Sequence, residues 1–163
     1  MGLAAYGRPR YLEQMRQLIT ADKNGQFRLN MAYFDFVQGA TMYGDALPEL
    51  FGQPVRPPDA PITTFHHDVA CSLQQVLEEM LLEKATYLAT QVDSPNLCLA
   101  GGVALNCVAN ARLIKETPFQ QVFIQPAAGD EGGCLGAAAL AHRAITGSSV
   151  DKRPLAHVYL GPQ

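Results

Sequence analysis

Positive charge is scarce in this sequence. Its 12 Lys plus Arg stand against 15 Asp plus Glu, a formal net charge of −3. There is therefore no cationic surplus to neutralise a phosphate backbone or an anionic membrane, and neither nucleic acid nor a membrane is expected as a partner. No uncharged stretch reaches the roughly 18 to 20 apolar residues that span a bilayer. The N-terminus, Met1-Gly-Leu-Ala-Ala-Tyr-Gly7, lacks the basic flank and long apolar run of a secretory signal, so a cytoplasmic location is expected. Cysteine is equally sparse: Cys71, Cys98, Cys107 and Cys134 form no Cys-x-x-Cys pair. Each lies in an apolar stretch, which suggests reduced, buried thiols.

Several chemical signatures are missing as well. No Ser or Cys has a recognisable local His and acid, which leaves nucleophilic catalysis without support and the catalytic residues unassigned. The glycine-rich dinucleotide and P-loop patterns are both absent. His66-His67-Asp68 has adjacent side chains that point about 100° apart on a helix and do not converge on a metal. His142 and His157 are isolated packing or surface residues on this reading.

What remains is globular arithmetic. The 163 residues are 48% hydrophobic and 17% charged, with 14 Gly and 11 Pro in no fixed period, enough chain for one core. Leu12, Met15, Leu18 and Ile19 predict a short amphipathic helix over Arg10 to Ile19, closed by a polar turn at Ala21 to Gly25. Phe27 to Leu29 and Ala32 to Val37 alternate as two short strands would. Five prolines between Gly39 and Pro61 predict a long surface loop with room for a helical turn. From Thr64, a stripe of Val69, Leu73, Val76, Leu77, Met80, Leu81, Leu88 and Val92 predicts a long helix with that stripe in the core and Glu78, Glu79 and Glu83 off it. Ser94-Pro95 ends it.

The second half repeats one unit. Asn96 to Ala100 reads as a strand, Gly101-Gly102 as a turn, and Leu105 to Glu116 as a helix. Gln121 to Gln125 reads as the next strand, and Pro126 to Gly133 leads into an Ala-rich helix through Ala144. Alternating strands and helices predict an α/β fold, a mixed sheet with flanking helices. Ligands of such sheets bind beyond the carboxyl ends of the strands, where both glycine turns lie. Asn106 and Asn110 share a helix face and offer donors and acceptors to a base or ribose; the alternative leaves them solvated. Asp130 suits either of two roles, a carboxylate ligand for a metal or an N-cap of the following helix, with Glu131 adding charge near its dipole.

Three segments taken together resemble the nodulation and antibiotic-type O-carbamoyltransferases: Met1 to Gly7, Leu99-Ala-Gly-Gly-Val-Ala-Leu-Asn-Cys-Val-Ala-Asn110, and Pro126-Ala-Ala-Gly-Asp-Glu-Gly-Gly-Cys-Leu-Gly-Ala-Ala138. Asp68 to Gln74 and Tyr159-Leu-Gly-Pro162 fit the same order, so the resemblance covers nearly the whole chain. It implies an N-terminal domain similar to the tRNA threonylcarbamoyl-transfer branch of the actin, sugar-kinase and Hsp70 ATPase superfamily. This chain would be the second half of that domain, one partial domain over residues 1–163, with residues 148–163 leaving toward a missing C-terminal domain that forms adenylate. The implied reaction uses carbamoyl phosphate and ATP to make a carbamoyl-adenylate, and passes the carbamoyl group to a hydroxyl of a small acceptor. Gly101, Gly102, Val103 and Asn106 match the nucleotide-contacting loop, and Asp130 matches a ligand of a divalent iron-type metal. The other ligands would come from outside this chain. An isolated piece is then expected to be inactive. An ATP-dependent small-molecule kinase of the same superfamily and a non-catalytic nucleotide-binding module are the alternatives.

Overall fold

The structure, a computed structural model, describes residues 1–22 and 24–149. They fall into two compact units, one of Met1–Asp93 with Lys115–Pro118, the other of Ser94–Ile114 with residues 119–149.

The first unit opens with a 3₁₀ turn, Gly2–Tyr6, followed by helix α1 (Leu12–Leu18) and strands β1 (Ile19–Ala21) and β2 (Phe27–Leu29). The two strands pair antiparallel, Ile19 opposite Leu29. Ile19 therefore does not end the helix, as its spacing suggested, but leaves it in extended conformation at φ −145° and ψ 131°. β-Branched Ile19 and Thr20 favour the pleated backbone. Gly25, at φ 65°, supplies the left-handed residue of the connecting turn. The expected strand over Ala32 to Val37 is absent: Asn30 accepts a hydrogen bond from the Ala32 amide at 3.2 Å and caps a 3₁₀ turn, Met31–Tyr33. Only a bridge between Phe34 and Tyr43 follows. The Pro- and Gly-rich stretch contains helix α2 (Ala46–Phe51), stopped by Gly52 at φ 62°.

Helix α3 (Thr64–Gln91) runs for 28 residues and begins with a reciprocal cap between Thr63 and His66. Its most buried line meets the expected apolar stripe only at Val76. Asp68, Ser72 and Val76, at four-residue steps, are the buried positions along its first turns. Asp68 accepts the Arg8 amide at 2.7 Å and pairs with Arg10 at 3.4 Å. Ser72 accepts the Tyr11 amide at 2.9 Å and donates to the Asp68 carbonyl at 2.7 Å. The N-terminal segment is thus clasped to α3 by polar groups, and Leu73, Leu88 and Val92 of the expected core stripe are exposed. Glu78 departs from expectation in the opposite sense, being buried with its Oε1 accepting from Gln74.

Gly7 explains the glycine that closes the first motif. A Cβ there would overlap the His67 backbone carbonyl of α3, and backbone cannot swing aside as a side chain can. Gly7→Ala should lower stability by about 1 to 3 kcal/mol in denaturant titration. An unchanged midpoint would show that the segment is not pressed against the helix.

The second unit contains β3 (Asn96–Leu99), a 3₁₀ turn Gly102–Leu105, helix α4 (Cys107–Glu116) as far as Ile114, β4 (Gln121–Ile124), a 3₁₀ turn Asp130–Gly132 and α5 (Gly133–Thr146). Strands β3 and β4 are parallel, with Asn96 opposite Gln121 and Leu99 opposite Ile124. The α/β class is as expected; among the described residues the strands form two two-stranded sheets, where one mixed sheet was anticipated. Leu97, Ala104, Ala109, Leu113, Phe119 and Ala128 are the buried apolar residues of this unit. Helix α5 has no buried residue, and its Leu140 and Ile145 are 72% and 85% exposed. Among the described residues no helix is long and apolar enough to cross a membrane.

The cysteines are free but not buried. Cys98, Cys107 and Cys134 are exposed and Cys71 is half-buried. Burial, followed by the nearby Asp68 and Glu78 carboxylates, pushes the Cys71 thiol above its ordinary value and keeps it protonated. Timed alkylation at mildly alkaline pH should therefore label Cys71 last. Labelling of Cys71 ahead of the other three would contradict its placement.

Residues 150–163, including His157 and all of the expected exit segment after Ser149, lie outside the described residues.

Candidate functional site

Beyond β3 the chain passes through Ala100 to Gly101, whose φ of 98° and ψ of 160° an L side chain rarely adopts. This glycine turns the backbone sharply into the Gly102–Leu105 3₁₀ turn. The first amides of such a turn have no acceptor within it, so the Gly102 and Val103 N–H groups are the natural donors of this loop. Gly101, Gly102 and Val103 are all exposed. A Cβ at Gly102 would meet nothing within 4 Å, so the space in front of the loop is open.

The two asparagines are neither solvated nor displayed to solvent. Asn106 is 2% exposed, and its Oδ1 accepts the Ala109 amide at 3.2 Å, fixing the start of α4. Asn110 is 9% exposed and donates through Nδ2 to the Ala104 carbonyl at 2.8 Å, closing the 3₁₀ turn onto the helix. They make the loop rigid. Asparagine at a helix start is a capping signal, and here both side chains serve the turn and helix rather than a ligand face.

The second loop reaches the first through a backbone bond. The Gly101 amide donates to the Ala128 carbonyl at 2.7 Å, joining the loops that follow two parallel neighbouring strands. No side-chain pattern announces a bond between main-chain atoms 27 residues apart, and sequence reading missed it. Gly132 is also forced, because a Cβ there would overlap the Ala127 carbonyl.

Asp130 opens the 3₁₀ turn after β4 but does not cap it. Neither that turn nor α5 has a side-chain cap. The Asp130 side chain is exposed. It is Glu131 that satisfies a local amide, accepting from Gly129 at 3.3 Å. The capping alternative for Asp130 thus loses its structural basis, and its carboxylate stands at the carboxyl end of the sheet. Among the described residues no group of three or more His, Cys, Asp or Glu could hold a metal ion. Asp130 offers one hard oxygen donor, too few to hold a metal by itself. His66 uses its Nδ1 in the helix cap, accepting the Thr63 amide at 3.0 Å.

A family model described as the carbamoyltransferase N-terminus matches residues 1–139. The uncharacterized protein sll1178 of Synechocystis is 44% identical over 100% of this chain. Nodulation protein NolO of Bradyrhizobium diazoefficiens and nodulation protein NolNO of Sinorhizobium fredii are each 36% identical over 99% of it. The matched regions amount to 27%, 28% and 22% of those three proteins, so the chain spans about a quarter of the length of the relatives it matches.

Proposed function

Since the chain belongs to the carbamoyltransferase family, through that family's N-terminal region, we propose that the full-length protein moves a carbamoyl group from carbamoyl phosphate, whose phosphate is released, onto the adenylyl group of ATP, with loss of pyrophosphate, and from that carbamoyl-adenylate to a hydroxyl of a small acceptor, releasing AMP. The observation that carries this reading is the Gly101 to Ala128 bond, which brings an open glycine loop and the Asp130 loop together at the ends of parallel strands. That is where open α/β sheets bind ligands.

In this mechanism the Gly102 and Val103 amides receive phosphate oxygens of the nucleotide. Gly101 supplies the left-handed turn that aims them, and buried Asn106 orients the nucleotide by holding the loop to the start of α4. Fixed amide dipoles need no reorganisation when charge develops, which is their advantage over water. Asp130 would be one ligand of a divalent, iron-type metal, and its remaining ligands would come from outside this chain. When bound, that metal would offset negative charge on the donor. A C-terminal domain in cis forms the adenylate.

The 163-residue chain assayed alone with carbamoyl phosphate, ATP and a panel of hydroxyl acceptors should give no transfer, whereas the full-length protein should transfer to at least one of them. Positioning of reactants is lost when part of a site is absent. Robust transfer by the isolated chain would overturn the division of labour proposed here.

A further inference from the structure

We propose that the first unit carries a small-molecule site of its own, for a planar aromatic carboxylate. This goes beyond the transferase reading and does not depend on it. A pocket of about 310 Å³, walled by Tyr43, Leu47, Pro48, Phe51, Phe65 and Val69, opens where the Pro- and Gly-rich segment folds back on the start of α3. Small-molecule sites begin near ~300 Å³ and are largely apolar with a few placed polar groups. The aromatic wall is stiff. Phe51 meets Phe65 edge to face at 6.3 Å, and Tyr11 meets both, at 5.8 and 5.2 Å. Such a wall suits an inserted ring better than a flexible aliphatic chain.

The polar groups at the pocket are the Gln53 amide, the Tyr43 hydroxyl and two nitrogen donors, Arg56 and His66. Arg56 lines it, with Nη1 donating to the carbonyls of Pro58, at 2.8 Å, and Ala60. Two backbone acceptors fix the guanidinium without neutralising it, and among the described residues Arg56 makes no ion pair. His66 lines the pocket too. Its Nδ1 accepts from Thr63, which leaves Nε2 as the nitrogen that can donate to a ligand. No acidic residue lines the pocket. Apolar rings with one held guanidinium and one imidazole donor complement an aromatic ring bearing a carboxylate, because a pre-positioned Arg fork binds a carboxylate without first losing its own freedom.

Calorimetric titration of the full-length protein with 2-naphthoate tests this, with 2-naphthylmethylammonium as a cation of similar size. Saturable naphthoate binding is expected, with the cation weaker by about tenfold or more. Phe51→Ala and Arg56→Gln should each weaken naphthoate by about tenfold, with partial recovery in Arg56→Lys. Arg56→Gln loosens the bonds to Pro58 and Ala60 and could disturb the loop. Leu47→Trp, which fills the pocket and leaves Arg56 intact, should abolish binding on its own. ATP affinity, measured in parallel, should be unchanged in all four variants, separating this site from the glycine loops. No saturable binding, equal binding of the cation, or binding that survives Leu47→Trp would each overturn the proposal. The first of these is also the outcome expected if another segment of the full-length protein occupies the pocket.

Discussion

Full-length protein carrying Gly102→Asp should bind ATP about tenfold more weakly or worse, while melting at the temperature of the unaltered protein. Gly102 is exposed, and a Cβ there meets nothing within 4 Å. Its backbone lies outside the left-handed region that Gly101 occupies at φ 98°. A side chain is therefore tolerated by the fold, and the effect of Asp is electrostatic. A carboxylate about 4 Å from a phosphate oxygen is repelled by about 1 kcal/mol in water and about 4 kcal/mol near a protein surface. Gly102→Ala is the control, and should keep both its melting temperature and most of its affinity. Wild-type ATP binding by the Asp variant would remove the glycine loop from the nucleotide site. The same two substitutions at Gly101 would be uninformative, since the positive φ alone would strain them.

A second large effect is expected at Asp130, where asparagine keeps the shape and removes the charge. The carboxylate caps neither the 3₁₀ turn nor α5 and is exposed, so Asp130→Asn should change stability by less than about 0.5 kcal/mol. A hard divalent cation loses a charged oxygen ligand by the same change, and its affinity in the full-length protein should fall by about 100-fold. Metal content and thermal unfolding measured on one preparation separate the two roles. Unchanged melting with metal lost identifies a ligand. Unchanged melting with metal and transfer both retained would withdraw Asp130 from the site.

The second half of the chain was the more legible because its punctuation is local. Asn96 to Leu99 and Gln121 to Ile124 are short apolar runs, each followed by glycines and a helix, and both form strands of one parallel pair. The first half misled where polar groups decide the packing. The stripe containing Leu73 and Leu88 has the periodicity of a core face, yet α3 is clasped along Asp68 and Ser72 by amides of Arg8 and Tyr11, some sixty residues away in the chain. Hydrophobic periodicity has no means of registering a buried carboxylate satisfied by backbone. Ile19 fell at helical spacing but went to a hairpin because Phe27 to Leu29 gave it a partner. At the candidate site the glycines were legible as turns, whereas the bond from Gly101 to Ala128 and the burial of Asn106 depend on tertiary placement. The aromatic pocket was hidden for the same reason, since Tyr43, Phe51 and Phe65 are brought together only when the Pro- and Gly-rich segment folds back.

Carbamoyl transfer through an adenylate and phosphoryl transfer by a kinase leave different remains of ATP, and the acceptor need not be known to tell them apart. Full-length protein incubated with labelled ATP, with and without carbamoyl phosphate, should release pyrophosphate only when carbamoyl phosphate is present, with the adenylyl label held in carbamoyl-adenylate, or in AMP once the carbamoyl group is transferred or hydrolysed. Release of ADP with a phosphorylated acceptor, independent of carbamoyl phosphate, would contradict carbamoyl transfer and identify a kinase instead.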